Sequence, residues 1–372
     1  DGNLEVRDNG KVVFAKVIHS VPMHIVNESF EYDGNYKNLS VWMDDEMLFD
    51  ADREKYLLKR PVEPADGFTW ETAYGHFLKG KEFERQRLYK NAGEEYKKTL
   101  EIEPWFVPAL TGMANLSYRK TEYSTSLEYS LKALSVDTYD ADANMIYGLA
   151  GLALGDTISA IDGFSIASAD ISRRSAAYNA LSSIFLRKGD FRKALAYAEK
   201  SLLFNQIGSE AIQLKILCLR KLGMQADAGN ELNRLEKNDP LNHFIRFERF
   251  LTAPSPENKN LAQKYITNEL SHETYLEYSL WYFRNGRLPD ALKVMEMAPE
   301  DHPIVLLWEA YMNHLEGKEK PASEALAKAL RINPRFVFPF RPETLEPLEW
   351  AQTLSDSWIL PYYAGLVYLC AG

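Results

Sequence analysis

The sequence predicts a mostly α-helical chain: a right-handed α-solenoid of antiparallel helix pairs, with a small β-rich segment at its N-terminus. Three observations point there. A 34-residue period runs through the middle of the chain. Small residues recur at three fixed places in that period, where helices must approach closely. Residues 1–52, by contrast, alternate in the manner of strands around a hairpin signal.

Taken in chain order, the hairpin signal comes first. Asp8-Asn9-Gly10 separates residues 4–7 from the β-branched run 11–19, and Asn-Gly tolerates the positive φ angles of a two-residue turn. Leu39, Val41 and Met43 alternate with their neighbours, and residues 47–49 return after Asp44-Asp45-Glu46. That makes four or five short strands, fewer than an immunoglobulin-like sandwich needs. Residues 1–52 therefore read as part of a β-sandwich or a small sheet capping the first helix pair. Residues 53–67, with Pro61 and Pro64, read as a linker.

The periodic region occupies 68–240. Pro104 and Pro240 lie 136 residues apart, four periods of 34, which starts five units at Ala73, Val107, Ala141, Ser175 and Ser209. The eighth position reads Gly80, Ala114, Gly148, Ser182, Ile216, and the twentieth Ala92, Ser126, Ala160, Ala194, Ala228. The twenty-seventh reads Thr99, Ala133, Ala167, Ser201, Leu235. Short side chains at these columns let two helices of a pair, and successive pairs, pack closely. Pro104 and Pro240 end the second helix of their units. Arg187-Lys188-Gly189-Asp190 and Leu222-Gly223-Met224 supply turns between helices.

After Pro240 the register slips. Residues 241–271, interrupted by Thr252-Ala253-Pro254-Ser255-Pro256, read as an irregular helix pair. Two further units follow at about 272–301 and 302–334, with Ala291 and Ala322 taking the small twentieth site and Ala298 and Ala329 the twenty-seventh. Residues 335–372 combine a proline-rich connection with one helix of a last repeat. The chain reads as an excised piece of a longer protein.

These columns resemble the tetratricopeptide repeat (TPR), whose pattern has small residues at its eighth, twentieth and twenty-seventh positions and often proline at its thirty-second. The resemblance covers roughly residues 68 to 372. The segments KRPVEPADGFTWETAYGHFLKGKEFERQRLY and ALSVDTYDADANMIYGLAGLALGD are similar to large bacterial TPR proteins that carry a domain of unknown function ahead of their repeats. In that family the N-terminal domain is similar to the sugar-binding supersandwich of galactose mutarotases, so the resemblance implies such a domain upstream.

Composition narrows the function classes. A formal net charge of −10 repels phosphate backbones and anionic lipid, so nucleic acid and membrane are not expected as general partners, although a basic face can exist locally. The most apolar run, residues 145–154, is half the length a bilayer needs. Cys218 and Cys370 are the only cysteines and form neither a disulfide framework nor a zinc spacing, which fits a reducing, cytoplasmic bacterial setting.

Catalytic patterns are sparse. Gly148, Gly151 and Gly155 lack the strand a phosphate loop follows, and close helix packing accounts for them. His272-Glu273 opens like a metalloprotease helix, but Leu276 stands where the second histidine belongs. His19 and His24 have no third ligand near in sequence, so exposed histidines are the better reading. Asp50, Asp52 and Glu54 lack the glycine and closing glutamate of a calcium loop. No Gly-x-Ser-x-Gly elbow occurs. The chain is expected to hold no enzyme activity, cofactor or metal.

The resemblance implies that the first helix of each pair lines a concave groove through its second, fifth, ninth, twelfth and thirteenth positions. Carried over, the partner-binding candidates are Phe77, Lys81 and Arg85; Thr111, Asn115 and Tyr118; Asn179, Ser183 and Arg187; and Gln213 and Arg220. The third unit offers Met145, Leu149 and Leu152, an apolar stretch read as buried ahead of a peptide pocket. The chaperone-binding carboxylate clamp of the family is not expected, since Asp142 stands where a lysine is wanted and only Asn115 fits.

The expected function is a protein–protein interaction scaffold. The alternative is a non-catalytic accessory or oligomerisation region of a carbohydrate-binding or carbohydrate-active bacterial protein. Self-association through Leu366, Val367 and Leu369 of the last helix is a further expectation.

Overall fold

The structure, a computed structural model, describes residues 2–19, 25–52, 67–268, 270–298 and 301–371. The expected linker at 53–67, all but its last residue, lies outside them, as does His24. The chain divides into two units, Asp1–Phe68 and Thr69–Gly372.

The first unit is a four-stranded antiparallel sheet in the order β2-β1-β3-β4, from β1 (Gly2–Asp8), β2 (Lys11–Ile18), β3 (Leu39–Met43) and β4 (Glu46–Asp50). Asn9 and Gly10 both have positive φ, 47° and 84°, which gives the turn the right-handed twist that two-residue hairpins require. Bulges interrupt the ladder at Val6/Arg7 and at Val41/Trp42. One face carries Leu4, Val6, Phe14, Ile18, Val41 and Met43, and the segment through Phe30 lies over it, stacking on Phe14 at 5.1 Å.

The second unit is a TPR-type α-solenoid. Its helix pairs are α1 (Ala73–Arg85) with α2 (Tyr89–Ile102), α3 (Val107–Arg119) with α4 (Tyr123–Val136), and α5 (Ala141–Ala153) with α6 (Thr157–Ala167). Then come α7 (Ile171–Arg187) with α8 (Phe191–Phe204) and α9 (Ser209–Lys221) with α10 (Gln225–Asn238). The register slip appears as α11 (His243–Thr252) and the short α12 (Pro256–Lys264), started by Ser255, whose side chain caps Asn258 N. Regular pairing resumes with α13 (Ser271–Arg284) and α14 (Leu288–Met295), then α15 (Pro303–Leu315) and α16 (Glu319–Ala329). After an extended connection come α17 (Leu345–Gln352) and α18 (Ile359–Ala371). Among the described residues no helix is long and apolar enough to cross a membrane.

Three chemical devices repeat along this array. A residue between the two helices of each regular pair sits at positive φ: Arg87, Thr121, Gly155, Gly189, Gly223, Gly286 and Gly317. Where helices cross most closely, a serine hydroxyl donates to a carbonyl twelve residues away along the chain. Ser126 reaches Ala114 O, while Ser182 reaches Ala194 O and Ser279 reaches Ala291 O, each at 2.8 Å. Where glycine takes the eighth site, an aromatic ring fills the space: Tyr96 lies against Gly80, and also against Gly112 of the next unit, and Phe164 lies against Gly148.

One helix departs from the 34-residue frame. α7 starts at Ile171, four residues ahead of Ser175, because the Asp170 carboxylate accepts from Ser172 N at 2.8 Å and caps it there.

Candidate functional site

The first helices of successive pairs, α1, α3 and α5, stand side by side and share a cavity of about 510 Å³. Phe77, Lys81, Thr111 and Asn115 line it together, joined by Met145 and Leu149. Half-buried Phe77 is held by its ring neighbours Tyr96 at 6.0 Å and Phe106 at 5.3 Å. The expectation that Met145, Leu149 and Leu152 are buried is met only halfway. All three pack partly against the core, and the first two remain open to the cavity.

Charge in this cavity is tightly ordered. Glu84 accepts from Asn115 Nδ2 at 2.9 Å, Tyr96 Oη at 2.6 Å and Lys81 Nζ at 3.3 Å. Burial and that carboxylate push the Tyr96 phenol far above its ordinary range, so it stays a donor. On the opposite wall Arg173 pairs with Asp142. Asp140 caps α5 by accepting from Ala143 N at 2.7 Å. Thr111 Oγ1 is buried without a hydrogen-bond partner. Sequence reasoning left out Glu84, although it holds the twelfth position of the first unit. Arg173 had no such signal, since it follows the second helix of its unit and reaches Asp142 from 31 residues away.

The candidates in later pairs are placed differently. Ser183 donates to Asn285 Oδ1 at 2.7 Å, and a β-carbon at Gly286 would sit 3.2 Å from Arg187 Cα. The turn between α13 and α14 thus lies against the end of α7. Gln213 is buried and reaches Asn242 at 3.4 Å. Arg220 enters a buried cluster: it pairs with the fully buried Glu248 and with Asp290 at 2.9 Å, while Tyr282 Oη donates to Glu248 at 2.6 Å. Burial works against the Asp290 carboxylate, yet the hydrogen bond and charge of Arg220, helped by Lys221, hold it below its ordinary value. Asn179 faces Glu210, whose carboxyl is raised by burial.

Tyr118 is half-buried and in ring contact with Tyr123 at 5.3 Å. Burial pushes its phenol up to about 12, with Tyr123 and the Glu343 carboxylate adding to the effect. Arg85 is exposed and pairs with Glu82 at 2.6 Å, away from the cavity. Ser183, Gln213 and Arg220 therefore serve the chain's own packing, and the structure does not bring them together with the cavity residues.

The last helix presents less apolar surface than expected. Val367 is fully buried, Leu366 is half-buried, and only Leu369 of the three is exposed. Burial pushes the Cys218 thiol up to about 12, out of reach of nucleophilic chemistry at neutral pH. No group of three or more metal-ligating side chains gathers among the described residues.

No family model matches the sequence, and no curated protein matches it. Solved structures do. Pseudomonas aeruginosa PilF is 20% identical over 55% of this chain and 97% of its own, with a TM-score of 0.47. A tetratricopeptide repeat protein from Parabacteroides merdae is 12% identical over 79% of this chain and 98% of its own, with a TM-score of 0.45. The C-terminal part of a TPR repeat-containing protein from Cytophaga hutchinsonii is 16% identical over 73% of this chain and 99% of its own, at 0.43.

Proposed function

We propose that the chain is a protein–protein interaction scaffold that takes an extended peptide segment in the groove of α1, α3 and α5. The observation that carries this is the cavity of about 510 Å³, which combines an apolar floor with amide, hydroxyl and charged walls. Phe77, Met145 and Leu149 would accept an apolar side chain, and Asn115 and Thr111 would meet the peptide backbone. Thr111 Oγ1, buried without a partner, gains most from an incoming polar group. No chemistry is assigned to the site, so the reading is non-catalytic. The carbohydrate-accessory role rests on family resemblance alone and draws no support from these walls.

Selection of a random-peptide library on the full chain tests the reading. Enriched peptides should bind at least about tenfold more weakly to Met145→Glu, which puts an unpaired charge on the apolar floor. Asn179→Ala, in the fourth pair, should leave them unaffected. If no peptide is enriched, or if the enriched ones ignore Met145→Glu, the groove assignment is wrong.

A further inference from the structure

The connection between α16 and α17 combines exposed aromatic rings with arginine side chains. Between Glu324 and Glu343 the chain carries Lys328, Arg331, Arg335 and Arg341 and no carboxylate, and since Lys328 pairs with Asp301 and Arg341 with Glu273, its net positive charge rests on Arg331 and Arg335. Its residues also alternate. Val337 and Pro339 point inward and are buried, while Phe336, Phe338 and Phe340 are 76%, 63% and 47% exposed. Large apolar rings grouped on one exposed segment are a recognised mark of an interaction surface.

The turn is held firmly in this presentation. Pro334 O accepts from Val337 N at 3.1 Å, and Asn333 Oδ1 accepts from Arg335 N at 2.9 Å. Phe336 is thereby the third residue of a tight turn, at φ +64°, where glycine or asparagine is the usual occupant. An L-residue with a bulky ring is strained there, and its ring is the most exposed of the three. At the other end Arg341 is tied to Glu273 at 3.0 Å. The exposed Arg335 guanidinium sits 4.9 Å from the Phe336 ring centroid, and the Glu273-paired Arg341 sits 5.0 Å from that of Phe340.

We propose that the turn at residues 336–340 docks the protein peripherally on an anionic lipid surface. Exposed rings need no preformed pocket in a bilayer interface, where aromatic side chains settle at headgroup depth. Arg331 and Arg335, which no carboxylate among the described residues pairs, complement anionic headgroups. The acidic remainder of the protein is screened beyond about 8 Å at physiological salt, and the nearby Asp301 and Glu273 are balanced by Lys328 and Arg341, so Arg331 and Arg335 set the local sign.

Sedimentation of the full chain with vesicles of equal parts phosphatidylcholine and phosphatidylglycerol tests this. Binding is expected at low salt, with release as salt rises and little binding to phosphatidylcholine alone. Phe338→Ser should weaken it about tenfold, and Arg335→Gln about fivefold. Phe336→Gly is the decisive variant: it relieves the positive-φ residue, so its Tm should hold or rise while binding falls about tenfold. Absence of wild-type binding to the mixed vesicles, equal binding to neutral ones, or undiminished binding by Phe336→Gly would each overturn the proposal. A soluble protein would then be the partner of this turn.

Discussion

Thr121 and Arg87 occupy the same backbone position as five glycines, the residue between the two helices of a pair, at φ 64° and 61°. The handedness of L-amino acids makes that conformation costly, and a β-branched residue bears it worst. Gly155, Gly189 and Gly223 meet nothing within 4 Å of a built β-carbon, so backbone conformation alone decides what these turns tolerate. Thr121→Gly should therefore raise stability by about 1 kcal/mol, and Gly223→Ala should lower it by about the same amount. Urea unfolding of both variants reads this directly. Equal and opposite shifts support a conformational origin, whereas a loss of stability in both would mean that Thr121 makes contacts outweighing its strain.

The helix pair is the unit the sequence described best, because its columns of small residues are a steric requirement that any sequence must meet. Gly148 shows the requirement plainly, since a β-carbon there would lie 2.7 Å from the Phe164 ring, which is itself fully buried. Gly229, within α10, meets nothing within 4 Å. The same substitution should thus have opposite signs in two helices of one array. Gly148→Ala should cost roughly 1–3 kcal/mol by overpacking, and Gly229→Ala should gain up to about 1 kcal/mol from helix propensity. Thermal or urea unfolding of the pair of variants distinguishes crowding from propensity; a stabilising Gly148→Ala would show that Phe164 can move aside. The early start of α7 was less legible. Its cap, Asp170, lies in residues that a strict period gives to the preceding unit, and side-chain capping outweighs periodicity.

Across the whole second unit, local pattern and long-range packing part company. The cavity of α1, α3 and α5 was partly legible: Phe77, Lys81, Thr111 and Asn115 follow from position within the repeat, and they do meet. The fate of Ser183 and Arg220 was not, because their partners Asn285 and Asp290 lie 102 and 70 residues away and follow the irregular pair α11–α12. No repeat frame crosses such a break. The consequence is an uneven array. One continuous core runs from Ala160 in α6 to Val367 in α18 and includes the pairs that meet around Arg220, whereas the first four helices rest on small separate clusters around Tyr96 and Leu110. In a repeat protein, stability is a sum of local terms, so the two ends need not open together. Native-state hydrogen exchange should find amides of α1 to α4 opening at lower free energy than those of α9, α13 and α15. Uniform protection would mean that the array unfolds as one cooperative block despite its divided core. The expected gradient would place the proposed peptide groove at the readily opened end, where an incoming segment can complete packing that the chain leaves unfinished.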